Sequence, residues 1–208
     1  MIKAILLIMN PIRTWDTIVI DNRRILSVFV AFLLPLVALT SAAEGYGLAR
    51  WGKWRSQIRM VEKFTTHEVM AYEVIQCVFG LLLVLVGAKL VKSVGETFHG
   101  RHTYEQAFTT VAYGLSPMFL FRLLDAFPWM SPWVSWGIGI VLSIAVLYHG
   151  VPRVMQPDPP QAFGLYVTGS LLLLLTSGIV RFITIWALQG RFKQFGVTLA
   201  AMIWPPHV

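Results

Sequence analysis

Val69–Val91 reads VMAYEVIQCVFGLLLVLVGAKLV. Glu73 stands near its start and Lys89 near its end, with no charge between Val74 and Ala88. A run of about 20 apolar residues is the length of helix that crosses a hydrocarbon core of roughly 30 Å. Working outward, four more runs of this kind appear: Ile25–Ala43, Ala107–Leu124, Trp133–Tyr148 and Ala162–Leu188. Charged or Pro/Gly-rich breaks separate them. The expected fold is all-α, a polytopic bundle of about five transmembrane helices with interfacial helices attached. Closed barrels are disfavoured because barrel strands alternate in short segments.

Composition agrees. The 208 residues are 56% hydrophobic and 13% charged, too little polar surface for a soluble domain of that size. Residues 1–208 read as a single membrane domain: 1–24 an N-terminal interfacial segment, 25–188 the bundle, and 189–208 an apolar tail in the interface. The single cysteine, Cys77, lies inside the second run, so the chain has no internal disulfide. Arg23 and Arg24 before an apolar run, with Ser41-Ala42-Ala43 after it, have the look of a signal peptide. The long segment ahead of them favours a retained span instead. A net charge of +7 suits loops touching anionic lipid. Its basic residues are scattered over short loops, which argues against nucleic acid.

Several local patterns carry expectations. Asn10-Pro11 reads as a capping side chain followed by Pro at the first helical position. The Ile12, Trp15, Ile18 and Val19 spacing after it predicts a short helix lying on the membrane surface. Pro35 and Pro117 predict kinks whose freed carbonyls find other donors. Between the first two runs, Trp51 and Trp54 beside Arg55, Arg59 and Lys63 predict an amphipathic helix over Leu48–Phe64, touching lipid or a partner. Five spans put the termini on opposite sides, and the basic residues do not choose between them. Lys3, Arg13, Arg23, Arg24, Lys89, Lys92, Arg101 and Arg153 make eight on one side. Arg50, Lys53, Arg55, Arg59, Lys63, Arg122, Arg181, Arg191 and Lys193 make nine on the other.

Three segments resemble the YIP-domain family, named for Ypt/Rab-interacting proteins, and its bacterial branch in particular. Asn10-Pro11-Ile12-Arg13-Thr14-Trp15 is similar to the Pro/Trp segment before the family's first span. Tyr104-Glu105-Gln106-Ala107 followed by Ala112-Tyr113-Gly114-Leu115-Ser116-Pro117 is similar to its third-span signature. Tyr148-His149-Gly150-Val151-Pro152-Arg153-Val154-Met155 resembles its Gly-Xaa-Pro-Xaa-hydrophobic exit from the fourth span. Pro11, Trp15, Tyr104, Pro117, Gly150 and Pro152 carry the likeness. The resemblance implies five spans in a bacterial inner membrane and a cytoplasmic N-terminus, which would break the charge tie. Eukaryotic members are linked to vesicle traffic and GTPase partners through a long polar N-terminal region that this sequence lacks. The family supplies no catalytic residues to carry over.

The residues themselves offer little chemistry. Haem or metal ligation needs facing histidines at one depth. His99, His102 and His149 leave spans at the membrane surface, with His67 on the other side and His207 near the C-terminus. Cys77 has no neighbouring histidine, and Ser116-Pro117 lacks a nucleophile elbow. The reading is no enzyme and no cofactor. Charges inside spans are costly and so informative. Glu73 is expected to pair with Arg181, and Arg122 with Asp125, as structural ion pairs. Small residues at Ala38/Ala42, Thr110/Gly114 and Gly139/Ser143 permit close helix approach or a homo-oligomer. The function expected is an accessory or scaffold subunit of a larger membrane complex, acting through partner-subunit and anionic-lipid contacts. The alternative is a transporter-like or lipid-handling protein using the in-span charges and kinked helices.

Overall fold

The computed structural model describes residues 2–55, 60–98 and 102–188. Two short helices, α1 (Ile2–Met9) and α2 (Pro11–Asp21), precede the bundle. The first span joins α3 (Ile25–Val28), a π turn (Phe29–Leu33) and α4 (Leu34–Trp51). A hairpin of β1 (Lys53–Arg55) and β2 (Met60–Glu62) leads to α5 (Thr66–Thr97), the second span. The third span is α6 (Tyr104–Gly114), α7 (Ser116–Phe121) and a 3-10 turn (Arg122–Ala126). The fourth and fifth are α8 (Pro132–Val154) and α9 (Pro159–Leu188). Among the described residues, five helical stretches are thus long and apolar enough to cross a membrane.

The third span is the axis of the bundle. Its apolar window is 72% buried, against 28–44% in the other four. Helix α5 packs on α4, α6 and α9, and α8 packs on α6, α7 and α9. Small residues set the close approaches. Gly139 lies against the backbone of Met118, and Gly114 against Leu147. Gly47 lies against the backbone of Ala126, so α4 touches the 3-10 turn with no room for a Cβ.

Both prolines are accommodated locally. A π turn stands immediately before Pro35, where a wide turn absorbs the missing donor. At Pro117 the Tyr113 carbonyl accepts the Ser116 hydroxyl at 2.6 Å, and the Met118 N–H donates to Ser143 Oγ on α8 at 3.1 Å. Capping boxes start α5 at Thr65/Glu68 and α6 at Thr103/Gln106.

Three expectations about the segments outside the core need correction. Helix α2 begins at Pro11 as expected, but the Asn10 side chain makes no capping bond. Nor does α2 lie apart on a surface. It packs along α8, and α1 folds back beside it to reach α7. Ala4, Leu7, Trp15 and Ile18 are buried there, while Ile2, Ile5, Met9 and Ile20 face outward. A Lys3–Asp21 ion pair at 2.5 Å ties the open ends of this helical hairpin. The third correction concerns Leu48–Phe64, which is not one amphipathic helix. Helix α4 continues past Ala43 to Trp51, and Gly52 at φ 72° ends it in a conformation that side chains disfavour. The chain then reverses through the β-hairpin, carrying Trp54 and Arg55 on β1. Arg59 and the tail at 189–208 fall outside the described residues, as do His99, Arg101 and His207.

Candidate functional site

Charged residues from four spans and the hairpin meet inside one end of the bundle, with polar residues of the remaining span beside them. Glu44 on α4 is 2% exposed, and its Oε2 accepts from Arg122 Nη2 at 3.0 Å and Nε at 3.3 Å. Gln76 Nε2 donates to the same oxygen at 3.0 Å, and Tyr72 OH to Oε1 at 3.4 Å. Arg122 Nη2 also reaches Ser41 Oγ at 3.2 Å. The second centre is Asp125, whose side chain is fully buried. Its carboxylate pairs with Arg181 Nη2 and accepts the Ser135 hydroxyl of α8. Arg181 donates further to the Pro132 carbonyl, at 3.2 Å from Nε and 2.9 Å from Nη2. Lys53 of β1 closes the end of the cluster, its Nζ donating to the Asp125 carbonyl at 2.8 Å. Burial pushes the Lys53 ammonium below its ordinary value, opposed by the Asp125 and Glu44 charges.

The four sequence-picked charges Glu73, Arg122, Asp125 and Arg181 all lie in this cluster, with different partners. Arg122 binds Glu44 rather than Asp125, and Arg181 binds Asp125 rather than Glu73. Asp125 and Arg122 sit on one tight 3-10 turn and point to different neighbours. Glu73 is left at the edge. Arg122 Nη2 stands 3.6 Å from its Oε2, and neither Glu73 oxygen has a hydrogen bond among the described residues. Two members were not foreseen. The apolar run in the sequence stops at Ala43, which leaves Glu44 outside the first span. Yet Thr40, Ser41, Gly45, Gly47 and Leu48 continue a small or apolar helix through it, which was the available signal. Nothing in the sequence marks Lys53.

The family-like positions converge elsewhere, in the bundle half toward the N-terminal segment. Trp15 is fully buried, and its Nε1 donates to the Val146 carbonyl of α8 at 3.0 Å. Its ring lies against Gly150, where a Cβ would collide, and meets Tyr113 edge-on at 6.3 Å. Tyr113 in turn packs on Phe32 at 4.2 Å. Pro11 starts the helix that presents Trp15, and Pro152 sits in the last turn of α8. Tyr104 hydroxyl donates to the Leu85 carbonyl at 3.2 Å, fixing the start of α6 on α5. Trp15 from one motif, Tyr113 from the second and Gly150 from the third thus form one packing unit.

A family model, the Yip1 domain, matches residues 5–182. The chain belongs to the Yip1 domain family. Comparisons with curated proteins and with solved structures give no match. As a Yip1-domain protein with five apolar helices, it is a multi-pass membrane protein. The matched region begins in α1 and ends in α9, so it contains the Trp15 unit and the whole charge cluster.

The remaining sequence candidates are dispersed. Trp51 is exposed at the end of α4 and meets Tyr46 edge-on at 6.0 Å, and Lys63 is exposed after β2. His102 is buried against Gly95, and His149 lies 5.1 Å from the Tyr148 ring. Cys77 is half-buried and unbonded. Among the described residues no group of three His, Cys, Asp or Glu side chains is placed to hold a metal ion.

Proposed function

We propose that this Yip1-domain protein is a non-catalytic accessory or scaffold subunit of a bacterial inner-membrane complex, with the N-terminus cytoplasmic. The observation that carries the reading is how the cluster spends its charges. Glu44, Glu73 and Asp125 face Arg122, Arg181 and Lys53, three against three, and the two closest pairs are almost entirely buried. Charges spent on each other fix the register of helices and leave an apolar wall for lipid or a partner. Exposed Val74, Val78, Leu82 and Val86 recur every four residues along α5, a flat face suited to another helix. Extraction of the tagged protein in a mild detergent followed by native mass measurement tests this. A stoichiometric partner subunit is expected. The protein emerging alone from several mild detergents, with its fold intact, refutes the reading.

A transporter-like role is the second reading. Its support is Glu73, a buried carboxylate whose oxygens accept no hydrogen bond from described residues. Flux of a proton-coupled solute in proteoliposomes, lost in Glu73→Gln, would favour it. Orientation is tested separately. With Cys77 replaced, single cysteines at exposed Glu96 and Lys63 are compared in intact spheroplasts. Labelling by an impermeant maleimide at position 63 alone is expected, and the reverse pattern overturns a cytoplasmic N-terminus.

A further inference from the structure

The N-terminal hairpin of α1 and α2 can be placed against the spans level by level. Its open end lies at a polar surface. Lys3 pairs with Asp21 there, and Asn22 and Arg23 line a cleft with Glu105, Gln106, Arg153 and Gln156, where α6 begins and α8 ends. Below this, Asp16 pairs with Arg153 at 3.0 Å, and Trp15 reaches the Val146 carbonyl and Gly150. Helix α2 therefore descends along α8 from Asp21 toward Pro11. Its 11 residues rise about 15 Å, half of a hydrocarbon core of roughly 30 Å. Helix α1 lies antiparallel beside it and packs on α7. That segment stands at the centre of the bundle: the Met118 N–H meets Ser143, the middle residue of α8, and the Met118 backbone meets Gly139. The closed end of the hairpin, Met9-Asn10-Pro11, is thus level with the middle of the fourth span.

From Ala4 to Met9 every side chain of α1 is apolar. Ala4 and Leu7 face the bundle, while Ile2, Ile5, Leu6 and Met9 face outward, Met9 with 78% of its surface exposed. A helix resting on a membrane surface presents a polar face to the headgroups. Helix α1 has none beyond Lys3, and a helix apolar on every side belongs inside protein or lipid. The backbone of the turn suits lipid, where unbonded polar groups are costly. The Asn10 N–H donates to the Leu6 carbonyl at 2.7 Å, the Asn10 carbonyl accepts the Thr14 hydroxyl at 2.8 Å, and Pro11 has no N–H to leave unbonded. Two charges lie between the turn and Asp21. Asp16 is paired with Arg153, and the Arg13 stem is long enough to carry its guanidinium to the headgroups. We propose that the α1–α2 hairpin is a re-entrant membrane element. It dips from the side of Arg23 and Arg153 to mid-bilayer, and Ile5, Leu6, Met9 and Ile12 contact lipid acyl chains. Such a placement needs no partner subunit and is independent of the scaffold reading.

The test uses the full chain in liposomes, with Cys77 replaced and a fluorophore on single introduced cysteines. Phospholipids carrying a nitroxide near the headgroup, or near the end of an acyl chain, report the depth of each position by quenching. Val141, exposed near the middle of α8, sets the mid-bilayer value, and exposed Glu96 sets the aqueous one. Met9→Cys should match Val141→Cys and be quenched chiefly by the chain-end nitroxide. It should lie about 10 Å deeper than Ile2→Cys, which the headgroup nitroxide should quench more. Met9→Cys at the depth of Ile2→Cys makes the hairpin a surface element and overturns the proposal. Met9→Cys shielded from both nitroxides means that a second copy covers the tip, which overturns the lipid contact. A cooperative melt shows that each labelled variant is folded. If Met9→Cys does not fold, Ile12→Cys on the other arm beside the turn decides by the same criterion.

Discussion

Removing the Asp125 charge should cost this protein far more than removing the Glu73 charge, although both are in-span carboxylates beside an arginine. In Asp125→Asn the Arg181 guanidinium, 5% exposed, loses the anion it is paired with among the described residues. Breaking a buried ion pair from one side costs about 3–5 kcal/mol. The lower end applies, because Arg181 keeps the Pro132 carbonyl and an amide oxygen at position 125 can still accept. Taking about 3 kcal/mol, and about 2–4 °C per kcal/mol for a chain of this size, the melting temperature in detergent falls by about 6–12 °C. Glu73 differs. Arg122 is already satisfied by Glu44 and Ser41, and the Glu73 oxygens make no hydrogen bonds among described residues. Glu73→Gln should therefore cost less than about 1 kcal/mol, since it also relieves repulsion from Glu44. Melting followed by tryptophan fluorescence compares Asp125→Asn, Arg181→Gln, their double variant and Glu73→Gln. The double variant should recover part of the summed loss, as coupled neighbours do. Equal falls for Asp125→Asn and Glu73→Gln, or strict additivity in the double variant, would refute this account of the cluster.

Other expectations follow from the packing. Trp15→Phe loses the bond to Val146 O and part of the ring seated on Gly150, and should cost about 1–3 kcal/mol, read as a lower melting temperature. Gly47→Ala puts a methyl into the backbone of Ala126 and should destabilise by about 1–3 kcal/mol, whereas Gly137→Ala, with open space around it, should be neutral or better in the same melt. Asp21 is held below the ordinary carboxylate value of 3.8, chiefly by its hydrogen bond and charge pairing with Lys3. Its contribution is complete above that value and is lost as pH falls through the lowered one, so hydrogen exchange in α1 should accelerate only under acid conditions. In Lys3→Gln that acid step should weaken, and the Asp21 carboxyl, followed by NMR, should titrate closer to 3.8.

The spans were legible because length and apolarity are properties of single segments, and lipid punishes any error in either. The cluster was half legible for a related reason. A charge in an apolar run announces that it has a partner, so Glu73, Arg122, Asp125 and Arg181 could be picked from sequence. Partner choice is a property of rotation and depth, which five helices decide jointly. Arg122 and Asp125 stand three apart, a spacing that pairs them on an α-helix. The chain is a 3-10 turn there, tightened against Gly47, and the two side chains diverge to α4 and α9. The missed Glu44 shows the converse error. Its charge ends the apolar run in the sequence but not the span, because two arginine nitrogens, Gln76 and Tyr72 supply the hydrogen bonds that let a carboxylate stay inside. A charge therefore ends a span only if the rest of the bundle leaves it without a partner. In this bundle the partner comes from Arg122, which opens the 3-10 turn at the end of the third span and reaches Glu44 from there, so the packing of that turn on α4 goes with a first span that runs on to Trp51.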